Sequence, residues 1–166
     1  FRYDGSSRFH KDHRWGFFPS LSGAWRISEE SFMENTRTWL DNLKVRASWG
    51  KLGNSEIGNY EYMSVYSTTN AVFGNALNSA LYMGAIANSL LKWESTTSVN
   101  FGIDVNLLKN RLSISADLYQ KKTDGILYRP TIPYVFGTMT APRQNLAKVS
   151  NKGVELSLGW RDNIGG

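Results

Sequence analysis

The sequence of 166 residues contains no cysteine, which excludes disulfide bonds and thiolate metal sites. No apolar run approaches the roughly 18–20 residues of a membrane-spanning helix, and the mean hydropathy is −0.38. Proline is scarce, with 4 residues, and 20% of the residues are charged against 41% hydrophobic ones. This balance excludes a disordered, charge-rich chain and is typical of a folded domain.

Aromatic residues are abundant, at 13%, and apolar and polar side chains alternate in five segments. In one of them Val99, Phe101 and Ile103 alternate with Asn100 and Gly102. Because successive side chains of a β-strand point to opposite faces, this period predicts strands with one apolar and one polar face. The predicted strands cover residues 17–27, 43–52, 93–107, 111–121 and 149–161. The sequence therefore predicts an all-β, antiparallel fold.

Alternation alone fits two architectures, a soluble sheet with one buried face and a transmembrane β-barrel. Strand length favours the barrel, since soluble strands usually have about 5–6 residues and tilted membrane strands about 9–11. Aromatic positions favour it too, because Phe17 and Trp25 are roughly 26 Å apart along a strand, as the two aromatic girdles of a barrel require. The predicted lipid-facing girdle consists of Phe17, Trp25, Trp49, Trp93 and Trp160.

The polar faces of the predicted strands carry charges of both signs. In a barrel these side chains would line a wet lumen or contact a plug, whereas in a soluble sheet they would simply be solvated. The lumen-facing candidates are Arg26, Lys44, Arg46, Asn100, Asp104, Asp117, Glu155 and Arg161.

The predicted connections alternate in length. Residues 108–110 form a tight turn, whereas residues 53–92 and 122–148 form long loops. Short turns on one side and long extracellular loops on the other are typical of outer-membrane barrels. One short helix is predicted near residues 29–35, because Ser28 is a good N-cap and acidic residues follow it in the first turn.

No residue pattern points to catalysis, a bound metal or a cofactor. His10 and His13 flank Asp12, but the basic residues around them disfavour a cation. Glu29 and Glu30 fit the start of a helix better than a pair of catalytic carboxylates. Basic residues are not interleaved with aromatic ones along a strand, so we expect no nucleic-acid partner.

Six stretches of the sequence carry a family resemblance. They are RYDGSSRF (2–9), RWGFFPS (14–20), WRISEE (25–30), LKVRASWGKLGN (43–54), WESTT (93–97) and NKGVEL (151–156). Together they resemble barrel segments of the SusC/RagA-type TonB-dependent outer-membrane transporters, in that family's order and over essentially the whole chain.

The resemblance implies a plugged, 22-stranded barrel in the outer membrane of a Gram-negative bacterium, embedded in its lipid and crossing it many times. It also implies import of glycans or peptides, energised by the TonB complex through an N-terminal part, with a SusD-like surface lipoprotein as lid. The chain would supply about five consecutive strands of this barrel, with a sixth strand ending near Phe9. The candidate contacts to substrate or lid in the long loops are Tyr60, Tyr62, Tyr66 and Tyr82.

The ends of the chain predict a piece of a longer protein. It begins at Phe1 rather than at methionine, and residues 163–166 favour a turn. We therefore expect residues 1–166 to be a partial barrel domain, without the plug or the remaining strands. Two other functions stay open, a soluble β-sandwich that binds carbohydrate and an outer-membrane barrel without transport. No pattern supports an enzyme.

Overall fold

The structure, a computed structural model, describes residues 1–137 and 139–162. Its β-strands are β1 (Arg2–Gly5), β2 (Trp15–Phe18), β3 (Ser20–Arg26), β4 (Leu40–Asn54), β5 (Tyr66–Phe73), β6 (Ala76–Met83), β7 (Glu94–Leu107), β8 (Leu112–Tyr128) and β9 (Gln144–Trp160). The predicted turn at residues 163–166 lies outside the described residues.

Five of these strands form one antiparallel sheet in the order β3–β4–β7–β8–β9. The hairpin β5–β6 is inserted between β4 and β7, and the short hairpin β1–β2 precedes β3. The all-β, antiparallel prediction is confirmed. Because the described strands are few, the sheet is open, with β3 and β9 at its two edges.

The strand predicted over residues 17–27 is interrupted at Pro19. Strand β2 ends before this proline and pairs with β1, whereas β3 begins after it and pairs with β4. Proline has no N–H to donate to a ladder, although its carbonyl accepts a hydrogen bond from the Lys51 N–H at 2.9 Å. The additional strand expected near Phe9 ends earlier, at Gly5, and Phe9 itself is completely buried.

Strands β8 and β9 are longer than predicted. They extend to Tyr128 and begin at Gln144, so the loop between them covers residues 129–143 instead of 122–148. Their pairing register shifts between Asp124 and Ile126, at Gly125, whose φ is +68°. This bulge breaks the alternation that marks a regular strand.

The helix predicted near residues 29–35 is not an α-helix. It consists of two 3₁₀ segments, Ile27–Glu29 and Ser31–Thr36, separated by Glu30 in an extended conformation. Ser28 lies inside the first segment, where it is buried, and neither segment has a side-chain N-cap. No helix of residues 1–137 and 139–162 is long and apolar enough to cross a membrane.

The strand ends form two distinct edges of the sheet. Residues 27–39 and the turn at 108–111 lie at one end, which we call the turn end. Residues 6–14, 55–93 and 129–143 connect strands at the opposite end, the loop end. The hydrophobic core cluster lies at the loop end, where Phe9, Ile57 and Leu91 are buried together. The sheet positions long loops over one rim.

Candidate functional site

The pairing register sorts the side chains of the sheet onto two faces, because residues paired across antiparallel strands point to the same side. One cross-strand row consists of Trp25, Val45, Ile103, Ala116 and Leu156. The adjacent row consists of Ala24, Arg46, Gly102, Asp117 and Glu155. We call the side that carries the first row the apolar face and the side that carries the second row the polar face.

The centre of the polar face is a hydrogen-bonded network around Arg46. Its guanidinium donates from Nε to Asp104 at 2.9 Å and from Nη2 to Asp117 at 2.7 Å. Ser115 donates from Oγ to Asp104 at 2.8 Å, and Asn100 donates from Nδ2 to Asp117 at 3.2 Å. The network therefore joins β4, β7 and β8, and it provides two carboxylates for one guanidinium.

Gly102 allows Arg46 to reach a strand that is not its neighbour. In the cross-strand row Gly102 lies between Arg46 and Asp117. A Cβ atom on Gly102 would lie 2.7 Å from Arg46 Cζ and 2.7 Å from Asp117 Oδ1. The missing side chain thus leaves the space in which the ion pair crosses β7. Sequence reasoning missed this role, although a glycine in a regular strand often marks such a close approach.

The other lumen-facing candidates share the polar face or its margin but do not join the network. Arg26 and Lys44 are paired at the turn end, where Arg26 contacts Glu29 at 3.6 Å. Glu155 lies on β9, in the same row as Arg46 but one strand beyond Asp117. Arg161 follows the last residue of β9. The structure therefore brings together four of the eight candidates, those at positions 46, 100, 104 and 117.

Three girdle candidates project from the apolar face. Trp25, Trp49 and Trp160 are all exposed there, Trp160 by 63%. Phe17 is exposed as well, but it lies on the β1–β2 hairpin beyond the break in the strand. Another exposed aromatic, Trp39, immediately precedes β4 at the turn end.

Trp93, the fifth girdle candidate, lies in the loop-end cluster instead. Its ring packs against Phe9 and Phe18 at centroid distances of 5.5 Å and 5.3 Å. Its Nε1–H donates to the Arg14 carbonyl at 3.1 Å. Trp93 therefore connects the residue 6–14 loop to the start of β7.

An ionic cluster that sequence reasoning missed joins the long loops. Glu61 accepts from Arg129 at 3.2 Å and contacts Arg143 at 3.1 Å, and it also accepts from the Gly58 N–H at 3.2 Å. Arg143 donates in turn to the Glu56 carbonyl at 3.2 Å. These contacts connect residues 56–61 to residues 129–143. The residues are far apart in sequence and follow no period, so no sequence signal identified them.

The four candidate tyrosines are not gathered into one site. Tyr66 and Tyr82 belong to neighbouring pairs of the β5–β6 hairpin and therefore point to opposite faces of it. Tyr62 contacts His10 edge-on at a centroid distance of 6.0 Å. Tyr60 is exposed. Each tyrosine thus has its own surroundings at the loop end.

No group of three or more histidine, aspartate or glutamate residues in the described part of the chain is arranged to hold a metal ion. His10 and Asp12 do approach each other, with 3.1 Å between Nδ1 and Oδ2. This pair stands alone, and it provides fewer ligands than a protein metal site requires.

Comparisons with known proteins agree with this two-faced sheet. The family model of the TonB dependent receptor-like β-barrel matches residues 1–166. TonB-dependent receptor P39 of Formosa agariphila is 40% identical over 157 residues, covering 95% of this chain and 15% of that protein. TonB-dependent receptor SusC of Bacteroides thetaiotaomicron is 39% identical over 162 residues, covering 95% of this chain and 16% of that protein.

A solved structure shares the fold. The RagAB peptide importer in its closed-closed state matches with a TM-score of 0.84 and 32% identity, over 98% of this chain and 17% of that chain. The chain thus spans 15–17% of the length of these relatives. The sequence match and the shared fold cover nearly every residue, and the chain belongs to the TonB-dependent receptor β-barrel family, with relatives of the SusC and RagA type.

Proposed function

We propose that this chain forms consecutive wall strands of a TonB-dependent transporter in the outer membrane of a Gram-negative bacterium. The apolar face contacts lipid, and the polar face lines the lumen or contacts a plug. The chain is a partial barrel domain, and the parent protein imports glycans or peptides and is not an enzyme.

The exposed apolar face carries this proposal. Val154, Leu156 and Leu158 are 66–71% exposed, and within residues 1–137 and 139–162 no second layer covers their side of the sheet. Such a continuous apolar surface is unfavourable in water and favourable against lipid. The same observation disfavours a soluble β-sandwich, in which a second sheet would cover this face.

The tryptophans in the outer rows of the apolar face support the orientation across the membrane. Trp49 lies in the row of Val99 and Trp160 in the row of Leu107, which are roughly 26 Å apart along β7, or about 19 Å in depth at a 45° tilt. This depth suits two girdles at the edges of an apolar band about 25 Å tall. The network of Arg46, Asp104 and Asp117 would then lie inside the wall, shielded from lipid.

The substrate and partners are proposed from the relatives. RagAB is described as a peptide importer, and SusC as a TonB-dependent receptor. We expect a SusD-like lipoprotein to cover the loop end and the TonB complex to act through another part of the parent chain. The exposed ring of Tyr60 and those of Tyr66 and Tyr82 are available to stack on a sugar or to contact the lipoprotein.

Spin labels on adjacent residues of the full-length protein test the facing. Ile114 lies on the apolar face and Ser113 on the polar face, in successive pairs of β7 and β8. In lipid vesicles a label at Ile114→Cys should collide with oxygen, which concentrates in the bilayer. A label at Ser113→Cys should not. Equal oxygen accessibility at the two positions would contradict the proposed orientation.

Uptake by intact cells tests transport. Deleting the parent gene should abolish uptake of labelled oligosaccharides or peptides, and inactivating TonB should do the same. Normal uptake in both strains, together with the wild-type protein in the outer membrane, would support the barrel without transport. Co-purification with a surface lipoprotein would test the proposed lid.

A further inference from the structure

The apolar face ends abruptly in lysines on the side of the long loops. The row of Ala47, Phe101, Leu118 and Val154 is entirely apolar. The next row toward the loop end consists of Trp49, Val99, Gln120 and Lys152. The row after it consists of Lys51, Thr97, Lys122 and Ser150. Three lysines therefore lie on the same face as the lipid-contacting residues, at the rim of the apolar band.

These lysines are close enough to act on one anion. Lys122 and Lys152 are diagonal neighbours on adjacent strands, a separation of about 7–8 Å. Lys51 lies two strands from Lys122 in the same row, about 10 Å away. Like charges at such distances repel one another, and the flexible lysine stems allow the ammonium groups to converge on a shared counter-charge.

The protein supplies no such counter-charge in its described part. None of the three lysines pairs with a carboxylate within residues 1–137 and 139–162. The nearby acidic residue of this face, Asp124, is paired with Lys148 at 3.3 Å, one row further out. At the turn end, in contrast, the basic residues Arg26 and Arg111 each contact a carboxylate. At the loop-end rim of the apolar face, the three lysines thus place positive charge without a carboxylate partner among the described residues.

An apolar groove lies directly below this basic rim. It is lined by Val99, Phe101, Leu118 and Val154, with Lys152 at its upper edge. Its mostly apolar lining suits a hydrocarbon chain. A basic cluster above an apolar groove matches the two parts of a phosphorylated lipid, the anionic headgroup and the hydrocarbon chain.

We propose that Lys51, Lys122 and Lys152 bind the phosphate of a glycolipid in the outward-facing leaflet, with an acyl chain in the groove below. This inference rests on the proposed function, because it requires that the apolar face contact a membrane. The bound lipid helps to set the depth of the sheet in the membrane. Its headgroup contacts fix the rim, whereas the band below the rim is uniformly apolar and does not define a depth.

Lipid binding to the full-length protein, extracted from the outer membrane in detergent, tests the inference. The probes are diphosphoryl lipid A and its dephosphorylated form, titrated by native mass spectrometry. The variant combines Lys51→Gln, Lys122→Gln and Lys152→Gln. A control with the same change in charge combines Lys44→Gln and Lys121→Gln, on the polar face, with Lys109→Gln in the turn at the opposite end.

We expect the wild type and the control to prefer the phosphorylated lipid. The variant should bind it more weakly by about tenfold or more, because each lysine near an anionic surface contributes to the attraction. A further variant with arginine at the three positions keeps the charge and should bind as the wild type does.

Three results would overturn the inference. They are equal binding of the two lipids by the wild type, unchanged binding by the glutamine variant, and equal loss in variant and control. The comparison of lipids on the wild type decides the matter even where the glutamine variant does not fold. A wild-type protein that is absent from the outer membrane would refute the proposed function as well. A folded membrane protein without the phosphate preference refutes only this inference.

Discussion

Replacing Leu156 with arginine should destabilise the full-length barrel strongly, because it places a charge near the middle of the band that we propose to face lipid. Leu156 belongs to the row of Ile103, which lies two rows from the rim row of Val99 at the loop end and two rows from the row of Leu107 at the turn end. Two rows are roughly 13 Å along a strand, or about 9 Å in depth at a 45° tilt. At this depth an arginine costs about 2–4 kcal/mol of folding free energy.

Two further substitutions calibrate that cost. Ser157→Arg places the same charge one residue away on the polar face, where the neighbouring network already has an excess carboxylate. We expect it to change the folding free energy by about 0.5 kcal/mol or less. Val99→Arg lies on the apolar face at the loop-end rim, where the cost falls to about 0–1 kcal/mol.

The measurement is the equilibrium between folded, vesicle-inserted protein and unfolded protein in denaturant, followed by tryptophan fluorescence. The expected order of destabilisation is Leu156→Arg first, with Val99→Arg and Ser157→Arg far below it. A cost at Ser157 equal to that at Leu156 would refute the assignment of the two faces. A cost at Val99 equal to that at Leu156 would refute the depth of the band.

Three other substitutions test local features of the full-length protein. Gly102→Val should lower the fraction of folded, heat-modifiable barrel, because its Cβ would lie 2.7 Å from Arg46 Cζ and would displace the guanidinium. Gly23→Val should be tolerated, because no atom lies within 4 Å of a Cβ at that position, and equal effects of the two substitutions would contradict this role of Gly102. Glu61→Gln should speed amide exchange in residues 55–61 and 129–143, whereas Glu56→Gln, whose carboxylate forms no ion pair with Arg129 or Arg143, should not. Unchanged exchange in Glu61→Gln would show that the ion pairs do not hold the loops. Lys109→Gly should raise the unfolding free energy by about 0.5–1 kcal/mol, since Lys109 has a φ of +58°, and a destabilised variant would contradict the strain.

The strands of the wall were predictable because their side chains obey one rule. Residues 43–49 alternate without exception, and they lie within β4. The prediction ended too early on β8, at residue 121, because Gln120 and Lys122 place polar side chains on the apolar face and the bulge at Gly125 follows them. It joined β2 to β3 because alternation does not reveal that Pro19 lacks the N–H of a ladder residue. Periodicity therefore finds strands and misses their irregularities.

The polar face was predictable as a set of residues but not as a network. Alternation assigns Arg46 and Asp117 to one side of their strands. Whether they meet depends on the register across β7, which is set by pairings such as Leu107 with Leu112 beside the turn. It also depends on the absence of a side chain at Gly102. The register is not local in sequence, so the glycine marks a close approach without identifying the residues that meet there.

The loop end is stabilised by different interactions from those of the sheet. Its structure depends on a few contacts between distant residues, the packing of Phe9 against Ile57 and Leu91 and the ion pairs of Glu61. These contacts lie where the loops leave the strands, whereas the β5–β6 hairpin extends from them with most of its side chains exposed. The base of the loops is therefore fixed to the sheet. The side chains of the β5–β6 hairpin are mostly exposed, so packing constrains their identity little. In a transporter this division lets surface residues that meet a substrate or lid differ without disturbing the strands that cross the membrane.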